Sequence, residues 1–312
     1  MESFILAFRV VFPLLCLMVL GYYLKQKKFM EEKTLNQMNR VVFNVFLPFM
    51  LFKNIYKTEM AEGLDFGIVL FALLAVLGIF IFLCLTIPLV EKRKERSSVI
   101  IQGLYRSNFV LLGISIVSSI YGEGNIGMTA FVAATIIPLY NVLAVILFET
   151  FCTGECHIGG ILRGIVKNPL IRASVLGFIF LAAGIKIPSP VMTVINDVSS
   201  LATPMSLIVL GGIFTFEGLR KYQKELIFVS VGRLVLVPAL VVCLSLLIGF
   251  KGANLAGLMV MAGAPAAVSS CAMAEQMGGD AELAGLIIVV TSVLSVFTIF
   301  MWIFGLNLAG VL

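Results

Sequence analysis

Long apolar runs broken only by short polar stretches set the pattern of this chain. Ten such runs can be marked, at approximately 4–24, 35–56, 66–90, 98–121, 126–150, 164–184, 190–216, 223–249, 254–276 and 281–308. Most are long enough, at about 1.5 Å per residue, to cross roughly 30 Å of hydrocarbon as a helix. A segment in lipid must satisfy its own backbone polar groups, which leaves helices or closed barrels. Runs of this length therefore predict an all-α polytopic membrane protein with ten transmembrane helices. No soluble linker or low-complexity segment separates them.

The pattern also repeats. Pro13-Leu14 opens a run that carries Val19-Leu20-Gly21, and Pro169-Leu170 opens one that carries Val175-Leu176-Gly177 at the same spacing. The offset (169 − 13) is 156 residues, half of the 312, and it also relates Pro48 to Pro204. The longest polar break, near Gly154, divides the halves, giving a five-helix repeat over 1–154 and a second over 155–312. Basic residues orient them. One set of loops holds Lys25, Lys27, Lys28, Lys33, Lys92, Arg93, Lys94, Arg96, Arg163, Lys167, Arg220, Lys221 and Lys224, whereas the opposite set holds only Lys53, Lys57, Lys186 and Lys251. The positive-inside rule then puts both termini outside a cytoplasmic membrane. Five spans is an odd number, so the second repeat is predicted to be inverted relative to the first, a design common in secondary transporters.

Composition sharpens the class. Apolar residues make up 60% of the chain and charged residues only 12%, about half the charge of a soluble domain. The net charge of +5 comes from short loop clusters and is no nucleic-acid signal. Met1-Glu2 lacks a basic n-region, so the first run reads as a retained helix rather than a signal peptide. Cys16, Cys84, Cys243 and Cys271 fall within apolar runs as small hydrophobes. Cys152, Cys156 and His157 cluster on one loop without a fourth ligand, and no metal site is predicted. Gly122-Glu123-Gly124-Asn125-Ile126-Gly127 fits a dinucleotide fingerprint in letters only, because it needs a strand before it; a tight turn is expected. His157 is the only histidine, no nucleophile-and-base pair appears, and neither an enzyme nor a cofactor is indicated.

Helix breakers point to the candidate site. Pro265 falls near the middle of the ninth run, between Gly263 and Ser269-Ser270, where it removes one backbone hydrogen bond. The matching fourth run is crowded with Arg106-Ser107-Asn108, Gly113 and Ser115. Two opened helices meeting at the membrane midplane would aim positive half-helix N-termini at an anion. Tyr140-Asn141 follow the helix-breaking Pro138 in the next run. Asn44 beside Pro48 and Thr203 beside Pro204 read first as interhelical glue, and Asn44 is kept as a candidate. The substrate-binding set is thus Asn108, Arg106, Ser115, Tyr140, Asn141, Pro265, Ser269, Ser270 and Asn44. Arg9, Arg40, Arg172 and Arg233 also lie within runs. For Arg40, Arg172 and Arg233, reaching out to lipid headgroups is the expected role. No carboxylate stands beside Pro265 or Asn108, which disfavours a dedicated cation carrier.

These residues carry a resemblance. Arg106-Ser107-Asn108 with Leu112-Gly113-Ile114, Ile137-Pro138-Leu139-Tyr140-Asn141, Lys167-Asn168-Pro169-Leu170 and Pro204-Met205-Ser206-Leu207 through Gly211-Gly212 are its most specific pieces in the first seven runs. Ala264-Pro265-Ala266-Ala267-Val268, Ala274-Glu275 and Gly279-Asp280-Ala281-Glu282-Leu283 complete them. Together they resemble the auxin efflux carrier family, in its short bacterial form, over the whole length. The resemblance implies fourth and ninth helices that are broken and cross. It implies a dimerising scaffold of helices 1, 2, 6 and 7, and a transport unit of helices 3–5 and 8–10. It also implies an organic-anion cargo, auxin-like or a mono- or dicarboxylate such as malate or malonate. The family asparagine of the fourth helix matches Asn108. Ser115 stands where the family has a proline, which predicts a softer first crossover, and Ser269 stands where it has an asparagine.

The expected function is a secondary active transporter for a small organic anion, working by alternating access of the elevator type, with H⁺ or Na⁺ as possible coupling ions. The alternatives are a sodium- or proton-coupled carrier of similar fold for another solute, and an anion channel.

Overall fold

The computed structural model describes residues 2–57, 65–122, 127–153 and 158–312. Among them all regular structure is helical, and helix covers each of the ten predicted runs. The first three runs are α1 (Glu2–Gln26), α2 (Glu32–Val41) with α3 (Leu47–Tyr56), and α4 (Phe66–Val90). The fourth divides into α5 (Lys94–Tyr105) and α6 (Phe109–Tyr121), and the fifth is α7 (Gly127–Phe148). Then come α8 (Ile158–Lys167) with α9 (Pro169–Ala182), and α10 (Ser189–Ser200) with α11 (Ala202–Ile213). The short α12 (Phe216–Lys221) leads to α13 (Gln223–Val231) with α14 (Val237–Ile248). The ninth run divides into α15 (Gly252–Gly263) and α16 (Ser269–Gln276), and the tenth is α17 (Ala281–Leu308).

Five helical stretches among the described residues are each long and apolar enough to cross a membrane: Phe66–Val90, Gly127–Cys152, Ser189–Ile213, Gln223–Ile248 and Ala281–Leu308. The fourth and ninth runs fall short because each is cut in two. The long helices stay apolar on their outer faces, where Leu85, Leu89 and Leu247 are exposed; lipid is the solvent that accepts such surface.

Local signals set the helix ends. Asp65 caps α4 by accepting from Gly67 N at 2.8 Å, and Asp280 caps α17 by accepting from Leu283 N at 3.0 Å. Asn168 caps α9 from Leu170 N at 2.9 Å, with Pro169 in the first helical position. Two π-helical segments, Val42–Phe46 and Gly232–Leu236, each end two residues before a proline, Pro48 and Pro238. Widening the turn there accommodates the N–H that proline lacks without ending the helix.

At one end of the bundle Arg96 pairs with Glu225 at 3.4 Å and with Asp280 at 3.5 Å. Tyr222 donates to Asp280 at 2.8 Å. Lys221 meets Glu282 at 2.8 Å, and this partner holds the ammonium above its usual range. The network ties α5, α12, α13 and α17 together.

The closest helix contacts are made by glycine. A Cβ on Gly211 of α11 would lie 1.9 Å from the carbonyl oxygen of Met18, and one on Gly21 of α1 would lie 2.0 Å from that of Ile208. The two backbones touch where no side chain fits. Gly177 of α9, the repeat counterpart of Gly21, makes a looser contact with α3, where an added Cβ would lie 3.1 Å from the Ile55 side chain and 3.2 Å from the carbonyl oxygen of Phe52. Small residues that let backbones meet are the usual means of helix association in lipid.

Gly211→Ala should therefore force α1 and α11 apart. Overpacking of this kind costs roughly 1–3 kcal/mol, and thermal unfolding of the detergent-purified protein should show a clear loss. Gly305→Ala in α17, where nothing lies within 4 Å of the added carbon, should leave the transition unchanged. Equal behaviour of the two variants would contradict the backbone contact.

Candidate functional site

The two interrupted helices meet at their breaks. Between α5 and α6, residues 106–108 leave helical geometry; between α15 and α16, residues 264–268 do the same. Ser107 and Ala266 form an antiparallel bridge. Asn108 N donates to Pro265 O at 2.8 Å, and Ala267 N donates to Arg106 O at 3.3 Å. Ala266 N is taken by the Thr291 hydroxyl of α17 at 3.2 Å. Backbone groups freed by the breaks thus satisfy one another inside the protein, as buried polar groups must.

The first break contains no proline. A break is nonetheless present: α5 stops at Tyr105 and α6 starts anew at Phe109, a shorter interruption than that between α15 and α16. Pairing with the 264–268 segment makes the interruption. Position 115 lies well inside α6 and has no part in it.

A cavity of about 70 Å³ opens beside this crossing. The breaks contribute Arg106, Ser107, Asn108 and Ser269, and α7 contributes Tyr140. The far wall is built by Asn54 of α3 and by Thr203 and Ser206 of α11. No carboxylate is among the lining residues. The N-termini of α6 and α16 both begin at the crossing, and neither has a side-chain cap. Each carries about half a positive charge.

Arg106 is buried beside them. Its Nη2 donates to Asn141 Oδ1 at 2.7 Å and to Ser269 Oγ at 2.9 Å, and its Nη1 meets the Met273 thioether. It forms no ion pair among the described residues. A buried arginine held only by neutral partners keeps its charge available to a ligand. Three buried polar atoms around it lack a protein partner: Asn141 Nδ2, Ser270 Oγ and Gln102 Oε1. Such orphans are rare and mark places where water or a ligand is expected. Tyr140 is held in place by its backbone, which accepts from Tyr105 Oη at 3.2 Å, and its hydroxyl lies 3.3 Å from Ser107 Oγ.

Of the predicted residues, Arg106, Asn108, Tyr140 and Ser269 line the cavity. Asn141 and Ser270 are buried behind it, and Pro265 contributes its carbonyl to the crossing. Ser115 belongs to α6, and its side chain lies outside the described ones. Asn44 is not brought to the cavity: it is exposed in the first π-helical segment and donates to Arg40 O at 2.8 Å. Asn54, Ser107 and Ser206 also line the cavity and are outside the predicted substrate-binding set. Thr203 was set down as glue, although its place one residue before Pro204 marked it.

Arg40 and Arg172 are exposed, as reaching to headgroups requires, but Arg233 is not. It is 1% exposed, and its guanidinium donates to four backbone carbonyls of the crossing, with the Tyr140 side chain beside it. Cys152 sits 3.4 Å from Ser98 Oγ, while Cys156 and His157 lie outside the described residues. Among the described residues no group of His, Cys, Asp or Glu is placed to hold a metal ion. Residues 123–126 of the glycine-rich turn also lie outside them.

Comparison with known proteins agrees with this picture. A family model described as membrane transport protein matches residues 6–153 and 158–303. An uncharacterized transporter of Methanothermobacter thermautotrophicus is 25% identical over 303 residues, which cover 94% of this chain and 96% of that protein. One from Methanocaldococcus jannaschii has the same identity and coverage. An uncharacterized transporter of Escherichia coli is 24% identical over 291 residues, 87% of this chain and 90% of its own length. An all-helical chain with several membrane-length apolar helices, two of its runs broken against each other, and a model match across nearly its whole length belongs to the membrane transport protein family and is a transporter, not an enzyme.

Proposed function

We propose that this chain is a secondary carrier for a small organic anion, a mono- or dicarboxylate or an auxin-like acid, in a cytoplasmic membrane. The observation that carries the reading is Arg106. It is a buried cation without a carboxylate partner among the described residues, it lines a cavity free of acids, and it stands between two uncapped half-helix N-termini. Its charge and the two helix ends together amount to roughly two positive charges in a low-dielectric setting. A carboxylate entering the cavity gains these interactions with no acid to displace. A cation would be repelled.

The ten runs then form two inverted five-helix repeats whose fourth and ninth members cross. Two features support this. The breaks, which fall in matching runs of the two halves, pair antiparallel. The Gly21 contact of the first run with the seventh is mirrored by the Gly177 contact of the sixth with the second. These glycine contacts pair helix 1 with 7 and helix 6 with 2, and packing of α2 on α11 and of α3 on α10 joins the pairs into one scaffold, the surface through which a homodimer would form. The cavity lies between scaffold elements α3 and α11 on one side and the crossing with α7 on the other. A site at that boundary changes sides when the crossing unit slides against the scaffold, which is the elevator form of alternating access.

Asn108 tests the site. Its amide can donate to a carboxylate without the desolvation cost of a charge. A thermal-shift screen of mono- and dicarboxylates identifies the anion. Asn108→Ala should then bind it at least tenfold more weakly, since a hydrogen bond to a charged group contributes roughly 1.5–3 kcal/mol. Expression should be unaffected, because the Asn108 side chain caps no helix. Unchanged affinity would remove Asn108 from the site.

Topology gives an independent check. Both termini are expected outside. Leu312→Cys, in a background without the native cysteines, should react with an impermeant thiol reagent in intact cells. Labelling only after permeabilisation would overturn the orientation and, with it, the odd-numbered inverted repeat.

A further inference from the structure

Arg233 carries a further inference, which rests on the transport reading above. It lies in the π-helical segment Gly232–Leu236, behind the cavity-lining Tyr140, and points its guanidinium at the crossing. Nε donates to Ala264 O at 2.8 Å and Nη2 to Met261 O at 3.1 Å. Nη1 donates to Leu104 O at 2.9 Å and to Tyr105 O at 3.2 Å. One side chain thus serves the C-terminal ends of α15 and α5 together.

Each of these carbonyls has lost its helical donor. The donor for Met261 O would be the N–H of residue 265, which is Pro265 and has none. The donor for Leu104 O would be Asn108 N, which is committed to Pro265 O. Tyr105 and Ala264 stand at the last turn of their half-helices, where carbonyls are left over by geometry. Two half-helix C-termini carry about half a negative charge each, so their sum matches one guanidinium. No acid pairs with Arg233 among the described residues. The carbonyls themselves are its counter-charge.

In carriers with broken helices, unwound carbonyls and half-helix C-termini are the groups that coordinate a coupling Na⁺. We propose that Arg233 is a tethered replacement for that cation. It fills the coordination place permanently, holds the two C-terminal ends together, and leaves the two N-terminal ends free to receive the anion. The carrier then has no sodium requirement, because the place where sodium would act is occupied by the chain itself. Arg233 is a positioning residue: it is not among the residues lining the cavity, and it acts through the broken helices and through Tyr140 beside it.

The test uses the purified protein and needs no substrate. The melting temperature of the wild type should be the same in sodium chloride and in N-methylglucamine chloride of equal ionic strength, because only a ligand that binds the folded state raises it. Arg233→Ala should melt several degrees lower. It should regain stability in millimolar guanidinium chloride, and to a smaller extent in sodium chloride. Tetramethylammonium, which has the charge without the N–H donors, should do nothing. Arg233→Lys should fall between, since one ammonium cannot reach both helix ends as the planar fork does. A sodium-dependent rise in the wild type overturns the proposal even if every variant fails to fold. So does an Arg233→Ala protein that is fully stable, or one that is destabilised yet indifferent to guanidinium. Failure to find a transported anion would count against the transport reading alone, whereas a sodium response would count against Arg233.

Discussion

A backbone polar group in hydrocarbon has no water to fall back on, and a helix broken in a membrane must find every lost partner within the protein. That constraint organises the centre of this molecule. The breaks at 106–108 and 264–268 exchange two backbone hydrogen bonds across the Ser107–Ala266 bridge. Thr291 takes the amide of Ala266, and Arg233 takes four carbonyls. Each break is tolerable only because the other lies opposite it. Neither half of the chain could hold its interruption alone.

The same arrangement separates charge. Helix C-termini face Arg233 on one side of the crossing, where negative ends and one cation cancel. Helix N-termini face the cavity on the other side, where Arg106 adds to their positive potential instead of opposing it. The two arginines differ in what holds them. Arg233 is saturated by carbonyls, whereas Arg106 is held by an amide oxygen, a hydroxyl and a thioether. The first is committed to structure and the second retains charge to offer. In a medium where isolated charges are costly, this division settles one arginine on backbone carbonyls and leaves the other beside the cavity.

Around the crossing, two kinds of packing coexist. Gly21 and Gly211 bring α1 and α11 into backbone contact, so these helices cannot slide past each other. The walls of the cavity meet through side chains instead, with Thr203 and Ser206 facing Asn108 and Tyr140 across open space. Tight backbone contact suits a rigid scaffold, and a looser polar seam suits a moving boundary.

The sequence by itself determined the membrane class, the ten apolar runs and the two places where helices open. These follow from local chemistry: run length against hydrocarbon thickness, and Pro265 without an N–H. Arg106, Asn108, Tyr140 and Ser269 were legible for the same reason, being polar residues next to breaks in apolar runs. Only the tertiary structure decided the rest. Asn44 reads like Asn108 in one dimension, but it faces outward because a π-helical turn sets its direction. The first break has no proline of its own, and the segment it pairs with lies more than 150 residues away in the chain. Arg233 looked like one more arginine near a membrane surface. Its role depends on carbonyls orphaned in two other helices, and which groups are left without a partner is a property of the assembled fold that no local pattern encodes.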